Sequence, residues 1–360
     1  MSARATQKSK TGQSPPVATI VLAAGQGKRM RSARPKVLHE LMGRSLLAHV
    51  LHASSFLQPA RLVVVTGVGA EEVQSSVSPR PNLVFARQAQ QLGTGHAVAA
   101  AAEALVGFEG PVVILPGDAP LISPQTLLDF LAAHQALGAD LSCLTVSLPD
   151  PAAYGRVIRD EAGWLERIVE ARDATPEELA LNEINSGIYV IDSKKLFAAL
   201  VDLRPDNAQG EYYLTDVVEV FRGRGFKCAA VQSPDFEETL GVNDRLDLAR
   251  AQAVLRARIN SAWLAAGVTM ADPATTYIEA TVRLGQDVTL GPGVVLTGST
   301  KIEAGATVGP YVCLRDTWVG PGLAVGPSRT FVGARLTRAR QSLRRLPRRS
   351  RNRGRRVGLK

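Results

Sequence analysis

Residues 19–36 read TIVLAAGQGKRMRSARPK, and the rest of the N-terminal half of the chain is interpreted around this stretch. Residues 19–22 are β-branched or apolar, which predicts a short strand, and the mostly small residues 23–27 follow directly. Five cations then arrive within nine residues, namely Lys28, Arg29, Arg31, Arg34 and Lys36. Because small residues let backbone N–H groups approach an anion that cations neutralise, we interpret the stretch as a strand ending in a phosphate-binding loop.

Two familiar nucleotide-binding loops fit this stretch poorly. A dinucleotide fingerprint requires a third glycine where Met30 stands, and a Walker A loop requires Ser or Thr where Arg29 follows Lys28. The alternative without function is a solvated basic loop after an edge strand. A GxG pattern alone would not exclude such a surface loop, but the spacing of the glycines together with the cations that follow favours phosphate binding.

The composition indicates a chain of more than one domain. No apolar run among the 360 residues approaches the roughly 20 residues that a membrane span needs, so we expect a soluble protein. The cysteines, Cys143, Cys228 and Cys313, lie far apart without CxxC spacing. This spacing predicts neither a disulfide framework nor a zinc site, and it fits a reducing cytoplasm.

The net charge of +9 is concentrated near the carboxyl terminus. Residues 328–360 contain twelve Arg, one Lys and no acid, or +13, which leaves −4 for residues 1–327. The body of the protein is therefore mildly acidic, and we expect no nucleic-acid ligand for it. The low-complexity segment 328–360 predicts a disordered tail, which we interpret as the result of a frame change or truncation in preference to a nucleic-acid-binding arm.

Residues 1–16 lack the apolar core of a secretory signal and predict a disordered leader.

Strands and helices alternate from residue 19 to about residue 147. Strands are predicted at 62–66, 83–86, 112–115 and 141–146, and helices at 46–56, 95–104 and 124–134, the last with Ser123 as N-cap. This order predicts an α/β domain with a parallel sheet, in which ligands lie beyond the carboxyl ends of the strands. Residues 23–36 and 116–118 both occupy such ends. From 154 to 191 the pattern is strand-rich and predicts an antiparallel lobe over the sheet.

Apolar residues recur every six positions in the C-terminal part of the chain. They are Leu284, Leu290, Leu296, Ile302, Val308 and Leu314, after which the phase slips once to Val319 and Val325. A six-residue period predicts a parallel β-helix. Residues 282–326 would form about two and a half coils, so we expect a short helix that gives way to the basic tail.

The segment VVILPGDAP, residues 112–120, places Asp118 directly after a buried strand. An exposed carboxylate in this position can bind a hard cation that bridges phosphate oxygens. A plain turn aspartate is the alternative. The segment RQAQQLGTGH, residues 87–96, has amides and glycines suited to reading a planar base, although a polar turn before the next helix would look similar.

Taken together, these segments resemble a known enzyme family. Residues 22–30 with Pro35 and Lys36 resemble the LAAGxGTRM…PK signature of sugar-nucleotide pyrophosphorylases, with Lys28 in place of Thr. Asp118 resembles the nucleotidyltransferase aspartate, with Pro116 in place of a usual Tyr. RQAQQLGTGH, and further on PAAYGRVIR, IVEARDAT, EINSGIYVI, NAQGEYYLTD and GVNDRLDL, are similar to N-acetylglucosamine-1-phosphate uridylyltransferases in order and spacing. Ala171 and Arg172 depart from the family's His and Lys beside the sugar site.

The resemblance implies roles for individual residues. Arg29, Lys36 and Asp118 would be catalytic, and Asp118 and Asn243 would bind Mg²⁺. Asn243 could instead be only the N-cap of the following helix. Gly155 and Glu170 would face the amino sugar, Asn185 its hydroxyls, and Gln88, Gly93 and Thr94 the base. The full set implied to bind substrate is Leu22, Ala23, Ala24, Gly25, Lys36, Gln88, Gly93, Thr94, Pro116, Gly117, Asp118, Gly155, Glu170, Asn185 and Asn243.

The resemblance also implies an architecture and a reaction. The fold would be a Rossmann-like nucleotidyltransferase domain (17–248) with an antiparallel β lobe. A linker helix (249–272) and a short, truncated left-handed β-helix (273–327) would follow. The implied reaction joins UTP and N-acetylglucosamine 1-phosphate into UDP-N-acetylglucosamine, a cell-wall and lipopolysaccharide precursor. Bacterial members of the family are bifunctional trimers that also transfer acetyl from acetyl-CoA to glucosamine 1-phosphate on further coils, so we expect that activity to be absent and the trimer weakened or lost. The alternatives are another hexose-1-phosphate nucleotidyltransferase and an inactive scaffold that binds nucleic acid through its tail.

Overall fold

The structure, a computed structural model, describes residues 15–337. Over this range the chain forms two compact units that divide between Val254 and Leu255. Residues 1–14 of the predicted leader and residues 338–360 of the predicted tail lie outside the described residues. None of the helices between positions 15 and 337 combines the length and the apolar character of a membrane span.

A nine-stranded mixed sheet forms the centre of the first unit. The strands of this unit are β1 (Ala18–Ala23), β2 (Glu40–Leu41), β3 (Arg44–Ser45), β4 (Arg61–Thr66), β5 (Leu83–Arg87), β6 (Pro111–Pro116), β7 (Leu141–Ser147), β8 (Arg156–Arg159), β9 (Leu165–Val169), β10 (Glu183–Asp192) and β11 (Cys228–Gln232). The order across the sheet is β11-β7-β10-β6-β1-β4-β5, with β8 and β9 attached to β10, while β2 and β3 form a separate hairpin. The strands β6, β1, β4 and β5 are mutually parallel.

Helices cover both faces of the sheet, as the predicted α/β class requires. They are α1 (Leu46–Ser55), α2 (Ala70–Ser76), α3 (Thr94–Ala99), α4 (Pro124–Leu137), α5 (Pro176–Leu179), α6 (Ser193–Leu200), α7 (Val217–Gly223) and α8 (Arg245–Ala265), the last of which crosses the division between the units. Side chains alternate along β1, so that Ile20 packs with α3, α6 and α7 while Val21 packs with α1, α2 and α4. Both faces of the central strands are buried, which explains their continuous apolar sequence.

The local signals for α4 are confirmed. Ser123 accepts a hydrogen bond from the Thr126 N–H at 3.1 Å and Pro124 is the first helical residue. The helix ends at Gly138, whose φ of 57° lies in the left-handed region. The predicted helix at 95–104 is wrong in length, because α3 ends at Ala99 and only a single 3₁₀ turn, Glu103–Leu105, follows.

The prediction that residues 154–191 form a lobe over the sheet is wrong for the strand β10. This strand lies inside the main sheet, antiparallel to β6 on one side and to β7 on the other. Its residues 188–191 are all buried, so it belongs to the centre of the core. Only the β8–β9 hairpin projects from it, attached by the pair Ile184↔Arg156. Consequently β6 and β7 are not neighbours, although both were predicted in one parallel sheet.

The second unit contains a three-sided parallel β-helix. Its strands are β12 (Thr269–Met270), β13 (Tyr277–Ile278), β14 (Arg283–Leu284), β15 (Thr289–Leu290), β16 (Val295–Thr297), β17 (Lys301–Ile302), β18 (Thr307–Val308), β19 (Cys313–Arg315), β20 (Trp318–Val319), β21 (Ala324–Val325), β22 (Thr330–Val332) and β23 (Arg335–Leu336). They form three sheets of four strands each, with apolar residues directed into the core. Tyr277 pairs with Val295, eighteen residues on, whereas Lys301 pairs with Trp318, seventeen residues on, and this shortening is the predicted phase slip.

The predicted limits of the β-helix are wrong at both ends. It begins at Thr269, four residues before the predicted start at 273, and the predicted disordered tail from 328 still contributes β22 and β23. Its four coils exceed the predicted two and a half. The physical reason is that arginines point outward: the Arg335 guanidinium stacks on the Trp318 ring at 4.0 Å, while Phe331 and Leu336 pack against the core. The arginine-rich composition therefore predicted disorder for a segment in which Phe331 and Leu336 are core residues.

Candidate active site

A cavity of about 620 Å³ opens at the carboxyl ends of β1 and β6 in the first unit. The residues implied from sequence to be functional are brought together there, and thirteen of them line it: Leu22, Ala24, Gly25, Arg29, Lys36, Gln88, Gly93, Thr94, Pro116, Asp118, Glu170, Asn185 and Asn243. Ala23, Gly117 and Gly155 do not line the cavity. The alternation of β1 buries the Ala23 side chain in the opposite core, Gly117 lies against the Leu22 carbonyl, and Gly155 packs behind Glu170.

Sequence reasoning missed several lining residues. They include Gln26, Gln91, Gly187, Tyr189, Glu211 and Thr215. The signals for some of them were present, because Gln91 belongs to the amide-rich segment 87–96, and Glu211 and Thr215 belong to the NAQGEYYLTD motif. Tyr189 gave no signal, since a buried strand residue in a sheet is normally a core residue.

The loop after β1 is held by one buried side chain. The residues Lys28–Met30 form a 3₁₀ turn in which the Met30 N–H donates to the Gly27 carbonyl at 2.9 Å. Met30 is only 1% exposed, whereas Lys28 and Arg29 are exposed beside the cavity. Met30 therefore anchors the loop where a dinucleotide fingerprint would have glycine, and the neighbouring cations remain free to face an anion.

Three polar side chains converge at the edge of the cavity. The Lys36 ammonium forms an ion pair with the Asp118 carboxylate and donates a hydrogen bond to Asn243 Oδ1 at 3.2 Å. The Lys36 and Asp118 side chains are only 13% and 19% exposed, so the two charges compensate each other largely out of water. The Val242 N–H donates to the Asp118 carbonyl at 2.8 Å, which ties the segment before α8 to the end of β6.

The alternative reading of Asn243 as the helix N-cap is wrong. Asp244 caps α8, since its Oδ1 accepts from the N–H groups of Leu246 and Asp247 at 2.8 and 2.9 Å. The Asn243 amide instead donates from Nδ2 to the Gly241 carbonyl at 3.4 Å, which leaves its Oδ1 directed at Lys36.

The oxygens of Asp118 and Asn243 suit a hard divalent cation. Both already bind one cationic group, the Lys36 ammonium, so they point at a common position. No cluster of three or more His, Cys, Asp or Glu residues exists within 15–337 that could hold a metal alone. Two protein oxygens fit Mg²⁺, which usually completes its shell with water and substrate phosphates.

Three hydrogen bonds join the segment 88–96 to the segment 212–214. The Gly95 N–H donates to the Tyr212 carbonyl, the Tyr212 N–H donates to the Leu92 carbonyl, both at 2.8 Å, and Thr94 Oγ1 accepts from the Leu214 N–H at 3.0 Å. Gly93 has a φ of +109°, and an added Cβ would lie 2.5 Å from the Tyr212 oxygen. Only glycine fits there. No side chain of this segment caps α3, whose N-cap is Gly93.

Glu170 lines the cavity and has further carboxylates near it. Burial, followed by the charges of Asp216 and Asp173, raises the pKa of Glu170 above its usual value. Burial and the neighbouring Glu219 raise the pKa of Asp216 to about 6.

The Asp216→Asn variant is expected to be more stable than the wild type at pH 7.5. A carboxyl with a folded-state pKa near 6 and an unfolded value near 4 loses stability as pH rises through this window, because only the unfolded state ionises freely. After discounting for solvent screening we expect a gain of about 1 kcal/mol at pH 7.5 and almost none at pH 4. Urea unfolding of both proteins at the two pH values measures it. An equal difference at both pH values would contradict the shifted titration.

Several known proteins are similar to this chain over most of its length. A family model described as the MobA-like NTP transferase domain matches residues 19–211. The bifunctional protein GlmU of Streptomyces avermitilis is 45% identical over 328 residues, which cover 89% of this chain and 68% of the relative. The GlmU proteins of Latilactobacillus sakei and Thermobifida fusca are 44% and 48% identical over 86% and 85% of this chain. The chain spans 66% and 64% of those two relatives, just under two thirds of their length.

A solved structure described as UDP-glucose pyrophosphorylase complexed with UDP-glucose has the same fold. Its TM-score is 0.55, and the match covers 68% of this chain and 99% of that one. At 18% sequence identity the likeness concerns the fold alone.

Proposed function

The chain belongs to the family of bifunctional GlmU proteins and carries a MobA-like NTP transferase domain, and from this premise we propose that it transfers the uridylyl group of UTP to N-acetylglucosamine 1-phosphate. The products are UDP-N-acetylglucosamine and pyrophosphate. The observation that carries the proposal is the convergence of Lys36, Asp118 and Asn243 beside a cationic loop, at the sheet edge where α/β folds bind nucleotides.

The reaction needs no covalent intermediate. A phosphate oxygen of the sugar phosphate forms a bond to the α-phosphorus of UTP, and the bond from that phosphorus to the bridging oxygen of pyrophosphate breaks. The attacking oxygen is already ionised near neutral pH, so no general base is required. Catalysis then depends on positioning and on neutralising charge, a role that we propose for Arg29 and Lys36, which both line the cavity.

The proposed cofactor is Mg²⁺, held by Asp118 and Asn243. When bound there, the ion supplies positive charge to phosphate oxygens and to the departing pyrophosphate. The chain's own residues orient the other groups. In our proposal Gln88, Gly93 and Thr94 hold the base, and Glu170 and Asn185 hold the sugar.

The direct test uses the purified 360-residue chain with UTP, Mg²⁺ and N-acetylglucosamine 1-phosphate. We expect pyrophosphate release and formation of UDP-N-acetylglucosamine. Glucose 1-phosphate and galactose 1-phosphate, which lack the acetamido group, serve as comparison substrates. Preferred turnover of either would favour the other hexose-1-phosphate nucleotidyltransferases, and no turnover of any sugar phosphate would favour the scaffold alternative.

Gly25→Ala is expected to weaken UTP binding without destabilising the fold. A Cβ at Gly25 would meet no protein atom within 4 Å, and the residue lines the cavity, so the methyl group would occupy ligand space beside the loop amides. We expect the KM for UTP to rise roughly tenfold, by analogy with losing one charge-assisted hydrogen bond, with an unchanged Tm. Gly27→Ala is the contrasting variant: its Cβ would lie 2.6 Å from the Lys36 Cβ, so it should lower the Tm as well. Wild-type kinetics in Gly25→Ala would contradict close phosphate approach.

The other expectations stay predictions. They are the absence of acetyl transfer from acetyl-CoA to glucosamine 1-phosphate by these 360 residues, the weakened or lost trimer, and the cytoplasmic location. Measuring acetyl transfer and uridylyl transfer on the same preparation tests the first of them.

A further inference from the structure

A break in the strand pairing places Asn185 on the cavity wall. The ladder between β10 and β7 is interrupted between Asn185 and Ile188. Gly187, within this irregular segment, has a φ of +77°, and its N–H donates to Asn185 Oδ1 at 2.8 Å. Bulges of this kind re-aim side chains next to binding sites. The Asn185 side chain is thereby held against its own backbone while it lines the cavity.

A buried cysteine supplies a second hydrogen-bond donor to the same oxygen. The Cys143 Sγ lies 3.2 Å from Asn185 Oδ1 and 3.4 Å from the Leu144 carbonyl. The Asn185 oxygen is the nearer of the two acceptors, and the Leu144 carbonyl also accepts the Ser186 hydroxyl at 2.6 Å, so we assign the thiol proton to Asn185. Complete burial raises the pKa of the Cys143 thiol well above its usual range and keeps it a neutral donor.

These two donors fix which way the Asn185 amide faces. A backbone N–H can only donate, so the side-chain atom that Gly187 reaches must be the oxygen. With Oδ1 occupied by the Gly187 N–H and the Cys143 thiol, only the two Nδ2 donors of the amide remain, and one of them is shared with the buried Tyr189 hydroxyl. A group that presents only donors selects an acceptor, such as a hydroxyl or carbonyl oxygen of a sugar.

We propose that Cys143 is a positioning residue for sugar recognition, whose thiol holds the Asn185 amide so that Nδ2 donates to an oxygen of the sugar phosphate. The identity of that ligand rests on the proposed function, whereas the arrangement of Cys143, Asn185 and Gly187 does not. No sequence motif points to a role for Cys143, because its contact with Asn185 crosses 42 residues.

Kinetics of Cys143 variants test the proposal. In Cys143→Ala we expect the KM for N-acetylglucosamine 1-phosphate to rise roughly three- to tenfold, the loss typical of one neutral hydrogen bond, while the KM for UTP stays within about twofold. Cys143→Ser keeps a donor and should restore most of the sugar KM. The matched control is Cys228→Ala, which removes another buried thiol that, among residues 15–337, lies near the backbone carbonyls of Val218 and Phe226, at 3.9 and 4.0 Å, and hydrogen-bonds to no cavity side chain. Equal changes in both alanine variants would overturn the proposal.

A double-mutant cycle separates positioning from general packing. Once Asn185 has been replaced by alanine, adding Cys143→Ala should change the sugar KM no further, because the group that the thiol positions is gone. Effects that add independently would show that the thiol acts elsewhere, and would overturn the proposal.

A structural readout decides the question without any turnover. In crystal structures of the two alanine variants we expect the Asn185 side chain, then held by the Gly187 N–H alone, to become less ordered in Cys143→Ala and to stay in place in Cys228→Ala. An unchanged Asn185 in Cys143→Ala would refute the positioning role. If the wild-type chain transfers no uridylyl group, the proposed function fails, and this comparison still decides the role of Cys143.

Discussion

Asp118→Ala is expected to lower the kcat of uridylyl transfer by at least about a hundredfold, with much smaller changes in either KM. The Asp118 carboxylate follows β6 at the edge of the cavity and converges with Asn243 Oδ1 on one cationic position. Oxygens that hold a metal act mainly on charge that develops as pyrophosphate leaves, so their loss affects the transition state more than the bound substrates. Pyrophosphate release at saturating UTP and sugar phosphate measures the effect.

Two comparison variants sharpen this prediction. Asn243→Ala removes the neutral oxygen and should lose less, with partial recovery at high Mg²⁺ because the charged ligand remains. Asp140→Ala removes another aspartate that is ion-paired to a lysine, Lys195, but does not line the cavity, so its activity per folded molecule should match the wild type. A near-wild-type kcat in Asp118→Ala would remove the metal assignment.

Lys36→Ala is expected to lower kcat/KM for UTP by about a hundredfold, by analogy with removing one preorganised electrostatic contact. Without nucleotide the ammonium neutralises Asp118. With nucleotide and metal bound we expect it to turn to the phosphates instead, since the carboxylate then has another cation. Lys28→Ala removes the same charge from an exposed position on the cavity rim and should lose clearly less. Equal losses in the two variants would reduce Lys36 to a general surface charge.

The position of Lys36 also predicts metal binding without turnover. Because its ammonium occupies the position on which Asp118 and Asn243 converge, it competes with a divalent cation there. In the absence of nucleotide, Lys36→Met should bind Mn²⁺ more tightly than the wild type, and more tightly than Lys28→Met. Electron paramagnetic resonance of free Mn²⁺ provides the measurement. If Lys28→Met and Lys36→Met gained the same affinity, simple loss of positive charge would explain the result.

Local sequence patterns predict much of the fold. The strands at 62–66, 83–86, 112–115 and 141–146 and the capped start of α4 are all found, because burial on both sheet faces and helix capping act over a few neighbouring residues. The six-residue period likewise predicted the β-helix and its single slip. The β-helix extends beyond its predicted end because Phe331 and Leu336 still pack against its core within the arginine-containing residues 328–336.

The sequence by itself determined the loop of small and cationic residues after β1, the α/β class and the identity of most cavity residues, since these follow from short motifs and from periodicity. Only the tertiary structure decided that β10 lies between β6 and β7, which brings Asn185 to the cavity and the Cys143 thiol beneath it. It also decided that Lys36 meets Asp118 and Asn243, across 82 and 207 residues of chain. Side-chain alternation depends on adjacent residues, whereas such contacts depend on which distant strands pair in the folded chain.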